Sequence, residues 1–256
     1  MFEKKDFPIL EYDTDRKGKI EPSYLVNGND VPECCVITFF GDIIEQLRQE
    51  GRLEQINTFY CCTVHLPIWV IEQDGQRVGL VQGFLGAAGC AGLLEELIAM
   101  GFKRFIVCGA AGVLQRGIQV GHLVVPASAV RDEGTSYHYA PPSREMECNA
   151  HALESICGFL GEKDIPYIRA KTWTTDAFYR ETEAKVALRV EEGCVTVEME
   201  AAALFAVSAF RGVTLGQILY GGDDLSGEQW DSRSWASRTE IQRNLVELSL
   251  EAVLRL

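Results

Sequence analysis

Thr196-Val197-Glu198-Met199-Glu200-Ala201-Ala202-Ala203 decides how the chain is read. A β-branched run, Cys194 to Val197, delivers two acids two residues apart and passes straight into an alanine-rich helix, Ala201 to Phe210. Alternation along an extended segment puts Glu198 and Glu200 on one side and Met199 on the other. The helix keeps Leu204 and Val207 to Phe210 for a core. Carboxylates at the C-terminal end of a strand in an α/β protein stand where ligands normally bind. A solvated acidic strand end is the common alternative for glutamate, and the surrounding chain decides between the two.

Outward from this stretch, strands alternate with helices. Cys35 to Phe40 reads as the first strand, followed by Gly41-Asp42 and an amphipathic helix with Ile43, Ile44 and Leu47 inward. Leu66 to Ile71 and Arg77 to Phe84 flank Asp74-Gly75, a hairpin signal. The small-residue loop Gly83 to Gly89 opens a helix, Cys90 to Met100, which Gly101 stops. Phe105 to Cys108 is a strand running into Gly109-Ala110-Ala111-Gly112, and His122 to Val125 is another, closed by Pro126. Glycine loops after strands let backbone amides approach a ligand closely. Arg131 to Glu147 is polar and reads as a long functional loop. A helix (Asn149 to Leu160), a strand (Tyr167 to Thr172), the segment Trp173 to Tyr179 and a charged helix ending at Gly193 lead back to the acidic strand. Thr214 to Tyr220 is the last strand, ending at Gly221-Gly222-Asp223-Asp224, and an amphipathic helix closes the chain. Residues 1–30 are polar, contain Pro8 and Pro22, and read as an arm over the surface or over a neighbouring subunit. Residues 31–256 form one α/β domain with a mixed, largely parallel sheet covered on both faces.

Composition narrows the partners. A net charge of -13 argues against a nucleic-acid or anionic-membrane surface. An acidic protein handling a phosphate-bearing ligand needs a local cluster of arginines or backbone amides. The nine cysteines include no Cys-x-x-Cys pair and read as reduced core residues, with no metal-ligand pattern. No segment approaches the ~18 uninterrupted apolar residues of a membrane span, and a cytoplasmic protein is the expectation.

At Val197-Glu198-Met199-Glu200-Ala201-Ala202, with Phe105 to Leu114 and the strand that ends in Asp223, the chain resembles the nucleoside phosphorylase family. This is the uridine and hexameric purine nucleoside phosphorylase group, which also contains the methylthioadenosine and S-adenosylhomocysteine nucleosidases. The resemblance covers roughly residues 33 to 255 in element order. It implies a three-layer α/β/α sandwich with a distorted central barrel, a homo-oligomer (dimer or trimer of dimers), and inorganic phosphate as co-substrate with no other cofactor. It implies cleavage of an N-glycosidic bond through a ribosyl cation. Glu200 would hold the ribose hydroxyls, Met199 would pack on the sugar and Glu198 would assist. Asp223 would hold or protonate N7 of a purine, and Phe178 would stack on the base. The phosphate or water site would involve Gly41, Gly86, Gly109 and Ala110.

The chain departs from that family's pattern at the phosphate. Its first loop reads Gly41-Asp42-Ile43-Ile44-Glu45 without an arginine, Val107 stands at the usual arginine position and Ala110 at the hydroxyl position. Arg131, Arg116 and Arg52 are the substitutes on offer, each more often a surface arginine. A hydrolytic branch, with water replacing phosphate and Glu45 as the nearest base, is the alternative reading. A non-catalytic nucleoside-binding member is a second one, disfavoured by the intact acids. The uracil-reading glutamine and arginine expected after Phe178-Tyr179 are replaced by Arg180-Glu181, which reads a different base edge or starts a helix. With Asp223 present, a purine is favoured over uracil. Asp223-Asp224 as a helix N-cap is the plain structural alternative.

Overall fold

The computed structural model describes residues 3–26 and 30–256. In chain order the elements are β1 (Cys34–Thr38), α1 (Gly41–Gln49), β2 (Glu54–Tyr60), β3 (His65–Gln73), β4 (Gln76–Gln82), α2 (Ala87–Met100), β5 (Arg104–Val113) and β6 (Leu123–Asp132). They continue with β7 (Glu145–Glu147), α3 (Ala150–Glu162), β8 (Tyr167–Thr175), α4 (Glu183–Glu191), β9 (Cys194–Glu198), α5 (Ala201–Arg211), β10 (Thr214–Asp224) and α6 (Thr239–Ala252).

The mixed sheet closes on itself. β5 pairs in parallel with β10, β10 meets β6 antiparallel, β6 and β8 run parallel, β8 and β9 run parallel, and β9 returns antiparallel to β5. Five strands thus make a closed circuit, while β1, β4, β3 and β2 extend from β5 as an open wing. Ala111, Val113, Val124, Val195 and Leu219 pack together with Ile168 and Ala170, so each strand of the circuit gives apolar side chains to one cluster. That cluster fills the barrel. α1 and α3 each touch α6, with α6 on β1, β5 and β10, α3 on β6 and β10 and α1 on β4, whereas α2 and α5 pack together as the other helical layer.

Particular residues explain the local outcomes. Asp74 and Gly75 take φ of 50° and 74°, the left-handed pair that a tight hairpin between β3 and β4 requires. Gly212 ends α5 at φ 75°. Gly112 is where β9 and the chain beyond β10 close on β5. A methyl group there would stand 2.7 Å from Leu225 Cδ1 and 2.9 Å from Val197 Cγ1.

Several strands run further than expected. β6 passes through Pro126, which sits at a register shift against β8, so the missing N–H falls at an irregularity and does not end the strand. β5 and β10 continue through their glycines because small residues fit the crowded barrel. β2 and β7 carry no clear apolar alternation and were not anticipated. No helix follows Asp223-Asp224: a loop leads to a short 3-10 turn at Trp235–Ser237. Asp224 is ion-paired with Arg233 and accepts the Ser226 N–H at 2.8 Å, so it holds a loop and caps no helix.

The arm, as described over residues 3–26, lies on its own chain; residues 1, 2 and 27–29 of the expected arm fall outside the described residues. The Arg16 guanidinium stands 4.8 Å from the centre of the Phe210 ring, and Glu21 approaches Arg211 at 3.9 Å. Among the described residues no helix is long and apolar enough to cross a membrane.

Gly112→Ala should lower stability by about 1–3 kcal/mol, the usual cost of overpacking a filled core. A shift of the urea midpoint measures it, and an unchanged midpoint would show that the strands separate freely there.

Candidate active site

The two acids of the opening stretch sit where β9 becomes α5. An α-helix leaves its first N–H groups without internal partners. Here they are met by residues from outside the helix. Glu198, at the end of β9, accepts the Glu200 N–H at 2.7 Å and the Ala201 N–H at 2.6 Å. Thr174 of β8 donates its hydroxyl to the other Glu198 oxygen at 2.6 Å and accepts the Ala202 N–H at 3.0 Å. Glu198 is therefore saturated by protein donors. Its placement makes it the cap of α5 and the residue that fixes the backbone of Glu200.

Glu200 turns its carboxylate toward the loop before α2. It accepts the Gly86 N–H at 2.6 Å and, more weakly, the Met199 N–H at 3.3 Å. Gly86 has φ 95°, a conformation that glycine adopts without strain and that aims this N–H at Glu200. Only 7% of Glu198 and 4% of Glu200 is exposed. Burial pushes both carboxyls above the ordinary range, the Glu198 charge adds to it at Glu200, and the donated N–H groups oppose it. Met199 lies half-buried between them.

The second group of candidates gathers at the end of β10. Asp223 lies beside Gly112 and accepts the Trp230 indole N–H at 2.7 Å through one carboxylate oxygen. Glu181 follows the turn that carries Phe178 and Tyr179, whose rings lie 4.1 Å apart. Burial, then repulsion from Asp223, pushes Glu181 up to about 7, with Lys185 pulling the other way. Phe178 is 44% exposed, which leaves part of its ring open to solvent. Trp230 was not singled out in the sequence. A tryptophan in the polar run Ser226 to Arg233 was the available signal.

The residues proposed for phosphate or water are placed less suggestively. A methyl group on Gly109 or on Gly83 would each come within 2.8 Å of the Phe39 ring, so that ring fills the space between the two strand-end glycines. One on Gly41 would meet the Gln82 amide at 2.8 Å. Ala110 is half-buried and Val107 fully buried. Glu45 is exposed on α1, paired with Arg48 at 2.6 and 2.7 Å and with Gln49 at 2.8 Å. Those bonds, Arg48 first, hold it down to about 2, which removes its basicity at neutral pH.

The substitute arginines are also committed or remote. Arg131 is buried within its own loop, bonded to Ser136, Ser143 and the carbonyls of Ala140 and Pro141. Arg52 pairs with Glu247 at 2.5 Å, and Arg116 is exposed between β5 and β6. His138, in the same segment, is exposed. Among the described residues no group of three or more His, Cys, Asp or Glu could hold a metal ion.

The model of the phosphorylase superfamily matches residues 33–255. The chain belongs to the phosphorylase superfamily. A guanosine phosphorylase from Halorubrum lacusprofundi is 27% identical over 245 residues, covering 92% of this chain and 99% of that protein. The uridine phosphorylase of Escherichia coli is 26% identical over 206 residues, 73% of this chain and 79% of its own. Among solved structures, purine nucleoside phosphorylase from Toxoplasma gondii in complex with immucillin-H superposes with a TM-score of 0.73. It covers 92% of this chain and 98% of its own at 17% identity, which speaks for the fold alone. Vibrio fischeri uridine phosphorylase does likewise, with a TM-score of 0.73 over 90% of this chain and 95% of its own at 22% identity. The three-layer α/β/α fold of this superfamily enzyme is thus the one its barrel and helical layers display.

Glu198→Ala leaves two backbone N–H groups and the Thr174 hydroxyl buried without an acceptor. It should cost about 1–3 kcal/mol, and Glu198→Gln, which keeps one acceptor oxygen, should cost less. Equal melting temperatures for all three proteins would overturn the capping role. Raised carboxyls hold protons in the folded state that the unfolded chain has released. The stability they contribute is complete below the ordinary carboxylate range and is lost as pH rises through their raised values. The melting temperature of the unliganded protein should therefore fall between about pH 5 and about pH 8.5, and Glu200→Gln should flatten that fall.

Proposed function

We propose that this phosphorylase-superfamily enzyme cleaves the N-glycosidic bond of a purine nucleoside with inorganic phosphate, giving free base and ribose 1-phosphate. The observation that carries the reading is that Gly112 stands against both Asp223 and Val197, the residue that leads into the buried Glu198 and Glu200. The nucleoside phosphorylases among the relatives support the reaction type.

The chemistry follows from the residue types. Glu200 offers acceptor oxygens to the sugar hydroxyls and negative charge to a developing ribosyl cation, where fixed charge is most effective. Glu198 works through Glu200, holding its backbone. Met199 packs on the sugar and the open face of Phe178 stacks on the base. As the bond from C1′ to N9 breaks, its electron pair passes to the purine, and a proton from Asp223 to N7 makes the base a better leaving group. A phosphate oxygen then bonds to C1′. The Trp230 indole fixes one Asp223 oxygen and leaves the other for the base. Purine is preferred over uracil because Arg180-Glu181 stands where a uracil-reading pair is expected. Assembly into a dimer or trimer of dimers belongs to this reading, and exposed Tyr60 and Leu85 near the Gly86 loop suit a subunit contact.

Hydrolysis is the second reading, favoured by one observation. The Phe39 ring occupies the space between Gly83 and Gly109 and none of the candidate arginines stands there, whereas a desolvated phosphate needs charge-assisted donors.

Incubation with guanosine, inosine, adenosine and uridine, with and without phosphate, separates these readings by chromatography of base and sugar. Phosphate-dependent release with ribose 1-phosphate is expected. Free ribose at a rate independent of phosphate would establish hydrolysis, and no release would leave a binding protein. Glu200→Gln should lower kcat/KM about 10²–10³-fold, as loss of a group aimed at transition-state charge does, while still folding to the native structure. Asp223→Asn should reduce purine turnover more than any residual uridine turnover, and equal losses would make Asp223 structural.

A further inference from the structure

Trp230 is the most exposed of the four tryptophans, at 64%, although tryptophan buries most of its surface in folded proteins. Its indole N–H is nevertheless engaged, donating to Asp223 Oδ2 at 2.7 Å. The loop after β10 is built to bring it there. Asp224 and Asp231 exchange two backbone hydrogen bonds, at 2.8 and 3.0 Å, which fold residues 225–230 back onto the strand end. The Leu225 N–H donates to the Val113 carbonyl at 2.8 Å and ties the outgoing limb to β5. Arg233 pairs with Asp224 and donates to the Ile118 carbonyl at 2.8 Å, which ties down the returning limb. Of the two adjacent acids, Asp224 closes the loop and Asp223 receives the indole. The other Asp223 oxygen, Oδ1, accepts no hydrogen bond among the described residues and stands beside Gly112.

We infer that Trp230 is a positioning residue for proton transfer: its indole N–H holds the Asp223 oxygen on which negative charge gathers as the base takes the proton. The inference rests on the nucleoside-cleaving reading above, with Asp223 as proton donor, and adds the group that makes the donor effective. In this step Asp223 gives its proton to N7 from Oδ1 while the C1′–N9 electron pair passes to the purine. The O–H electron pair stays on the carboxylate, whose charge spreads over Oδ1 and Oδ2. The indole bond to a neutral carboxyl thereby becomes one to a carboxylate, roughly twice as strong. It is stronger in the transition state than with substrate bound, which is the condition for raising kcat. Solvent, which reaches the half-buried Asp223, returns the proton after the base has left. Indole suits this place because it donates, cannot accept and does not titrate, so it adds no charge that the site must neutralise.

The test is kcat and KM for guanosine and for 7-methylguanosine, whose base is already cationic at N7 and leaves without a proton. Wild type, Trp230→Phe, Trp230→His and Asp223→Asn are compared at saturating phosphate. Trp230→Phe keeps a ring and removes the N–H. Trp230→His returns a donor, since its Nε2 can take the place of the indole Nε1 on the corresponding ring. Trp230→Phe should lower guanosine kcat about tenfold, the low end for a hydrogen bond to a charged group, with KM kept within about twofold. The ratio of guanosine to 7-methylguanosine turnover should fall by the same factor, and Trp230→His should recover most of it. Equal losses on the two nucleosides, a loss carried by KM, or a Trp230→His as poor as Trp230→Phe would overturn the inference. So would a Trp230→Phe that matches the wild type. Asp223→Asn then separates the cases: a guanosine-selective loss in that variant leaves the nucleoside reading standing, and no such loss removes Asp223 as the proton donor too. A wild type that cleaves neither nucleoside would overturn both.

Discussion

The site depends on one interaction: the Glu198 carboxylate laid across the N-terminus of α5. A strand that must turn directly into a helix leaves backbone N–H groups in the interior, where each unmet donor costs about 1–3 kcal/mol. Glu198 takes two of them and Thr174 takes a third while holding Glu198 in place. Strands β8 and β9 and helix α5 are thereby pinned at one point. Glu200 inherits a fixed backbone and can aim its own carboxylate at the Gly86 loop. Of two acids that look equivalent in the sequence, one builds the junction and the other turns to the Gly86 loop.

Around that junction the barrel brings distant segments together by keeping side chains small. Gly112 admits β9 on one side and the chain after β10 on the other, which brings Asp223 and Val197 to the same glycine. The acids then crowd one another. Burial raises Glu198, Glu200 and Glu181 alike, so the unliganded site holds protons that a free carboxylate would give up. A ligand bringing hydroxyl and N–H donors, and positive charge in the transition state, relieves this strain more than any neutral apolar group could. The net charge of -13 places the phosphate question at the same spot, since an anion must find its donors locally in an acidic protein.

Much of this was legible in the residues. The Val-Glu-Met-Glu-Ala-Ala run announced a strand-to-helix turn bearing acids, and Asp74-Gly75 announced its hairpin, because both are local events. What escaped depended on contacts far apart in sequence. The division of labour between Glu198 and Glu200 requires knowing that Thr174 lies alongside. Phe39 as the filler between Gly83 and Gly109, Trp230 reaching back to Asp223, and β6 running on through Pro126 are all consequences of barrel closure, which no window of sequence encodes. Glu45 and Arg131 read as candidates by type, but each had a nearer partner: Arg48 for one, the carbonyls of its own loop for the other.

The account stands on Glu200 as the anchor of the sugar, positioned by Glu198. The most direct measurement compares guanosine with 2′,3′-dideoxyguanosine as substrates, in the wild type and in Glu200→Gln. Hydrogen bonds from the two hydroxyls to a buried carboxylate should favour guanosine by about 10²-fold in the wild type, and that ratio should collapse toward one in Glu200→Gln. The same ratio in both proteins would mean that the sugar is held elsewhere and that the acids of this junction serve the fold alone.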